Sequence, residues 1–132
     1  IAWVALLIVI LLGLAKLHLR FGWMLTRDQR EKAWRMYISM MSVLCDLGIR
    51  RARGETRSEF RSRVAETIAC DPLHTGFMVN IAKYHPQASL SLEQLSAARA
   101  TDISELRKIP FIKRALAFFN PSSVFSQVGA SW

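Results

Sequence analysis

The first fifteen positions carry no charge: Ile1 to Ala15 reads IAWVALLIVILLGLA, with Gly13 the one weak helix former. A helix over this run rises about 22 Å, short of the roughly 30 Å hydrocarbon core of a bilayer. Leu17, Leu19, Phe21 and Trp23 prolong the apolar content, and Lys16 and Arg20 are expected to snorkel toward headgroups. The chain starts at Ile1 rather than Met, so the pattern predicts the end of a transmembrane helix that begins upstream. Ile1, Trp3, Leu7, Leu11 and Leu14 fall within the span, and Trp3 and Trp23 bracket it as interfacial anchors. A secretory leader would place its basic residues before the run and a small-residue cleavage site after it, whereas Lys16-Leu17-His18-Leu19-Arg20 follows here. A soluble core helix apolar on every face would need a larger protein around it.

From Asp28 onward the apolar positions recur with helical spacing, and no stretch alternates as a strand. Asp28 caps a helix expected to run to about Leu47, with Gly48 as its stop. Two stripes mark it: Trp34, Tyr37, Ile38, Met41, Leu44 and Cys45, then Ala33, Met36, Met40, Val43 and Leu47. A helix apolar on two faces is central, packed from both sides. Its first turns lie near the headgroups, which leaves Trp34 or Met36 available to lipid. An arginine-dense link, Ile49 to Glu55, leads to Thr56-Arg57-Ser58-Glu59, which has capping-box spacing. The helix that follows buries Phe60, Val64 and Ile68 and leaves Arg57, Arg61, Arg63 and Glu66 outside. Asp71-Pro72 reads as the start of the next helix, with a stripe of Leu73, Phe77, Ile81 and Tyr84 and a stop at His85-Pro86. Ser91 caps a fourth, which Thr101-Asp102 either interrupts or continues before Pro110 closes it. The fold expected is all-α: one transmembrane helix and juxtamembrane segment (1–25), a helical domain of about four helices (26–110) and an apolar-basic tail (111–132).

The stretch from about Trp34 to Leu106 resembles the C-terminal domain of bacterial transglutaminase-like membrane proteins. The residues that carry the resemblance are Trp34 to Leu47 with Gly48, the basic link, and Glu55-Thr56-Arg57-Ser58-Glu59-Phe60 with Arg63. Tyr84 and Leu90-Ser91-Leu92-Glu93-Gln94-Leu95 complete it. That domain, of unknown function, follows the final span of such proteins and also occurs in smaller single-span ones. The family has proline directly after the threonine, where this chain has Arg57. In full-length relatives the cysteine, histidine and aspartate of the transglutaminase fold precede the last span, and nothing in this chain corresponds to them.

Charge adds a direction. The chain of 132 residues carries a net +8, with 52% hydrophobic and 21% charged residues, a content too apolar for a disordered chain. Lys16, Arg20, Arg27, Arg30 and Lys32 all lie just after the span, which predicts a cytoplasmic domain after it; the resemblance implies that the membrane is a bacterial inner membrane. Two cysteines, Cys45 and Cys70, make no disulfide framework and suit a reducing compartment. Cys45 lies late in its helix, at the dipole end that does not activate a thiolate, and reads as core. Cys70 and His74 have i, i+4 spacing, but two ligands do not make a zinc site. No phosphate loop or nucleophile elbow occurs, so neither catalytic residues nor a cofactor are expected.

Two patches remain as candidate contacts. Arg50, Arg51, Arg53 and Arg57 form a basic cluster that either binds anionic lipid or an acidic partner, or is a solvated face. Aromatic residues are not interleaved with them, which argues against nucleic acid. In the tail, Phe111, Ile112, Leu116, Phe118 and Phe119 surround two basic residues, and Val124, Phe125, Val128 and Trp132 follow Asn120-Pro121. This segment is an interfacial helix, a partner-binding arm or the last helix of the bundle. The leading expectation is a non-catalytic single-span subunit whose partners are membrane lipid and other membrane-protein subunits. The alternative is the C-terminal part of a membrane transglutaminase-like enzyme whose catalytic domain lies outside this chain. A third reading, a basic nucleic-acid module, would require salt-sensitive binding to DNA or RNA.

Overall fold

The computed structural model describes residues 1–85, 87–121 and 124, so Phe125, Val128 and Trp132 of the tail lie outside the described residues. Among the described residues all regular structure is helical. α1 (Ala2–Phe21) runs into a 3-10 turn (Gly22–Leu25) and is followed by α2 (Gln29–Asp46), α3 (Arg57–Ile68), α4 (Thr75–Tyr84), α5 (Leu92–Leu106) and α6 (Phe111–Phe119). The chain is thus a long apolar N-terminal helix followed by a small helical bundle, as the periodicity predicts. The segment Ala2–Leu25 is long and apolar enough to cross a membrane.

α2 is the centre. Its start is fixed by Asp28, whose carboxylate accepts the N–H groups of Arg30 and Glu31. At its end Gly48, at φ +87°, donates to the Cys45 carbonyl, and Ile49 donates to that of Leu44, both at 2.9 Å. This paired closure suits glycine, because a left-handed residue is needed there. α2 packs against α1, α4, α5 and α6. Tyr37, Met40, Leu44, Phe60, Val64, Leu73, Val79 and Leu106 share the main core, and Ala33, Met36 and Leu95 form a smaller one. Met36 is fully buried and Trp34 packs at the edge of the main core, so neither is left for lipid. Trp23 packs on the smaller core, with the Arg99 guanidinium 4.5 Å above its ring.

α3 opens with the expected capping box: Thr56 Oγ1 accepts from the Glu59 amide, and the Glu59 carboxylate accepts from the Thr56 amide. α5 opens with a second box, Ser91 with Gln94, and passes unbroken through Thr101-Asp102. α4 departs from expectation. It begins at Thr75 rather than after Asp71-Pro72, and Phe77 and Tyr84 are exposed while Thr75, Gly76 and Val79 face the core. The cause is tertiary. Arg61 grips the Asp71 carboxylate with two nitrogens, at 2.9 and 2.6 Å, and Asp71 is not the cap of α4. The carboxylate that receives the His74 and Thr75 amides comes instead from Asp102 of α5. The rotation of α4 also lets its backbone approach α2: a Cβ on Gly76 would lie 3.3 Å from the Tyr37 ring.

Candidate functional site

The two faces of α1 differ over its last turns. Leu11, Leu14, Leu17 and Phe21, then Met24 and Leu25 of the 3-10 turn, point outward, with His18 beside them. Lys16 and Gly22 are buried, and Arg20 is half-buried on the side that meets the bundle. Such a helix is inverted relative to a soluble one, which would turn its charges to water and its leucines inward.

Lys16 is 5% exposed. Its ammonium lies 3.1 Å from Asp46 Oδ2 and donates to the carbonyls of Ala117, at 3.3 Å, and Phe118. An ammonium has three N–H donors, and these three acceptors use them all. Arg20 Nη2 reaches the same Asp46 oxygen at 3.2 Å, and both cations lie over the Phe118 ring, at 5.5 and 5.4 Å from its centroid. Asn120 Nδ2 donates to the Asp46 carbonyl, and Ser39 Oγ donates to that of Arg20. The Asp46 side chain is fully buried in the last turn of α2, where the helix dipole disfavours a carboxylate. Burial of a lone charge there would cost several kcal/mol, about as much as the two cations and their hydrogen bonds must offset. Lys16 and Arg20 therefore do not snorkel; they tie α1 to the end of α2 and the last turn of α6. This junction is absent from the sequence reading. Its signal was an acid, Asp46, inside the mostly apolar stretch Met40 to Leu47, and a lysine within the apolar helix.

The four arginines singled out from sequence divide. Arg51 and Arg57 come together with Lys83 and His85 around an open cleft of about 490 Å³, which Ser58, Asn80 and Tyr84 also line. Arg57 donates to Asn80 Oδ1 at 3.2 Å and lies over the rings of Trp34 and Tyr37. Arg50 and Arg53 are exposed and do not line the cleft. Arg63 Nη2 donates to the Arg50 carbonyl at 2.7 Å. Glu55 pins this link by accepting from the Ala52 amide and from Arg63, whose guanidinium holds the Glu55 carboxyl down at about 2. Part of the basic charge is thus neutralised within the loop itself. Glu55 lines the cleft as well, yet with Arg51, Arg57 and Lys83 the lining stays net positive and carries the hydroxyls of Thr56 and Ser58, a composition suited to a phosphate-bearing anion.

A third polar cluster joins α3, α4 and α5. Asp102 is fully buried and accepts the His74 and Thr75 amides at 2.6 and 3.0 Å and the Thr75 hydroxyl at 2.8 Å. His74 Nδ1 lies 3.0 Å from its other contact on Asp102, Oδ1. Burial pushes the Asp102 carboxyl up despite these bonds, whereas Arg61 holds the Asp71 carboxyl below its ordinary value. Burial also pushes the Cys70 thiol up, beside Glu105, which disfavours the thiolate. Cys45 is buried in the core. Among the described residues no three His, Cys, Asp or Glu side chains are placed to hold a metal ion.

The tail residues are brought to the junction by one end only. Ala117 is buried and Phe118 packs on Lys16 and Arg20, while Phe111, Ile112, Leu116 and Phe119 are 68% to 80% exposed. α6 is thus a helix docked on the bundle that still presents an apolar face. Among the span residues, Ile1, Trp3, Leu7, Leu11 and Leu14 are all exposed, without a protein neighbour that covers them.

No protein-family model, curated protein or solved structure matches the chain.

Proposed function

We propose that this chain is a non-catalytic, membrane-anchored helical subunit or scaffold that makes protein–protein contacts within a bacterial membrane assembly. In this reading α1 crosses the inner (cytoplasmic) membrane once and the bundle lies in the cytoplasm. The observation that carries it is the junction of Lys16, Arg20 and Asp46. An ion pair turned inward beneath an outward apolar stripe suits a helix surrounded by lipid, where charges face the protein and pair. It also makes anchor and bundle one mechanical unit, which a scaffold needs and a flexible tether lacks. Arg27 and Lys32 follow the span and favour a cytoplasmic bundle. The resemblance to the C-terminal domain of transglutaminase-like membrane proteins supports the bacterial placement, because that domain likewise follows a last span.

The test is purification of the chain from its native membrane in mild detergent, followed by identification of what stays bound. A membrane protein in fixed stoichiometry through two separations, lost when Asp46 is replaced, supports the scaffold. A chain that elutes alone from intact membranes contradicts it. Orientation is read separately from a fluorescent protein fused to the C-terminus, which is bright only if that end is cytoplasmic.

A further inference from the structure

We infer that α6 is an interfacial helix whose free face lies in the boundary between headgroups and acyl chains of an anionic bilayer. The inference rests on the reading of α1 as a span. At about 100° per residue, Phe111, Ala115, Phe119, Ile112 and Leu116 fall in one arc of about 140°; Phe118 lies about 20° beyond its Phe111 edge, and Ala117 falls on the other side. The bundle holds the Ala117 side and that edge: Ala117 is buried, and Phe118, 41% exposed, meets Lys16 and Arg20. Within the arc Phe111, Ile112, Leu116 and Phe119 are exposed and Ala115 is half-buried.

Height is fixed by the junction. Lys16 holds the carbonyls of Ala117 and Phe118, so the last turn of α6 sits level with Lys16 on α1. At that level, and beyond it, the outward residues of α1 are Leu14, Leu17 and Phe21. If α1 spans, lipid covers those three, and the last turn of α6 lies at the level where that lipid surrounds the junction. The helix does not pack along α1 and is too short to cross, since nine residues rise about 14 Å. What remains is a helix lying at the membrane surface. Lys113 borders the apolar arc and is exposed, and its ammonium can reach anionic headgroups from there. A second copy of the chain is the competing occupant, but it would have to displace lipid from a face at the level of the span.

The experiment uses the full chain in phosphatidylcholine bilayers containing phosphatidylglycerol, with Cys45 and Cys70 replaced by alanine and single nitroxide labels introduced. Labels at Ile112, Leu116 and Phe119 are expected roughly 5–10 Å below the headgroups, open to oxygen and closed to a nickel chelate, with Lys113 open to the chelate. A label at Leu7 tests the span itself. Leu7 in lipid with the three α6 labels open to the chelate overturns the inference and leaves the span standing. Dipolar broadening between α6 labels of two copies overturns it in favour of a dimer. Leu7 open to the chelate overturns both. The unlabelled chain gives a second reading: lipid carrying a nitroxide on its acyl chain should broaden the amide resonances of Phe111–Phe119 and spare those of α3. Equal effects on the two helices overturn the inference.

Discussion

Lys16 Nζ lies 3.1 Å from Asp46 Oδ2, thirty positions away, where the anchor helix meets the end of the central helix. The contact joins the apolar segment to the bundle, and the backbone of α6 completes it through Ala117 and Phe118. Its worth comes from burial, since the same pair in water would contribute little.

Replacing Asp46 with alanine should therefore destabilise the chain by about 3–5 kcal/mol, because Lys16 is left buried without a counter-charge. Glu31→Ala removes an exposed ion pair with Arg35, one helical turn away, and should cost only about 0.3–0.5 kcal/mol. Reversible unfolding in detergent, followed by circular dichroism, compares the two. The double variant Lys16→Met/Asp46→Leu should recover part of the loss, the remainder belonging to Arg20. Equal, small effects of D46A and E31A would show that the junction is solvated.

Acid should act on the bundle in two opposite senses. Glu55, held at about 2 by Arg63, and Asp71, held down by Arg61, contribute stability above their ordinary carboxylate values that is lost as pH falls. Asp102 is pushed up by burial, so its contribution is full below the unfolded value near 3.8 and is lost as pH rises through the folded value. Asp102→Asn should lower stability by removing an acceptor. It should also steepen the loss of stability on acidification, since a group that gains stability there is gone. Stability measured from pH 7 toward 3 in both chains decides this; parallel curves would mean that Asp102 does not titrate as its burial requires.

The basic cleft predicts an order among the arginines. Arg51→Gln should weaken binding of dihexanoyl phosphatidylglycerol to the detergent-solubilised chain by roughly fivefold, about 1 kcal/mol for one lost cation. Arg53→Gln, outside the cleft, should change it less than twofold, a difference of less than about 0.4 kcal/mol. Titration followed by amide chemical shifts reads both. An equal effect of the two variants would assign the binding to diffuse charge.

Elements whose signals are local were legible from the residues alone. Asp28, Thr56 with Glu59, Ser91 with Gln94, and Gly48 each fix a helix end through bonds to their own neighbours, and each does so here. Asp71-Pro72 carried the same kind of signal and failed, because Arg61, ten positions back, took the carboxylate and Asp102, from another helix, took the amides. The junction was illegible for a related reason. Whether Lys16 reaches for headgroups or for protein depends on Asp46 and on carbonyls of α6, partners that no window around Lys16 contains. The basic cluster was half legible: Arg51 and Arg57 are near in sequence and line one cleft, but Lys83 and His85 come from the far end of α4.

The central claim is that α1 carries its charges inward and its apolar stripe to lipid. Solvent and oxygen accessibility of single nitroxide labels from Leu11 to Leu25, in the full chain reconstituted in bilayers, tests it most directly. Leu14, Leu17 and Phe21 should be open to oxygen and closed to a water-soluble nickel chelate, with positions beside Lys16 and Arg20 closed to both. Access of the chelate to Leu17 and Phe21, equal to that at exposed positions of α3, would contradict it.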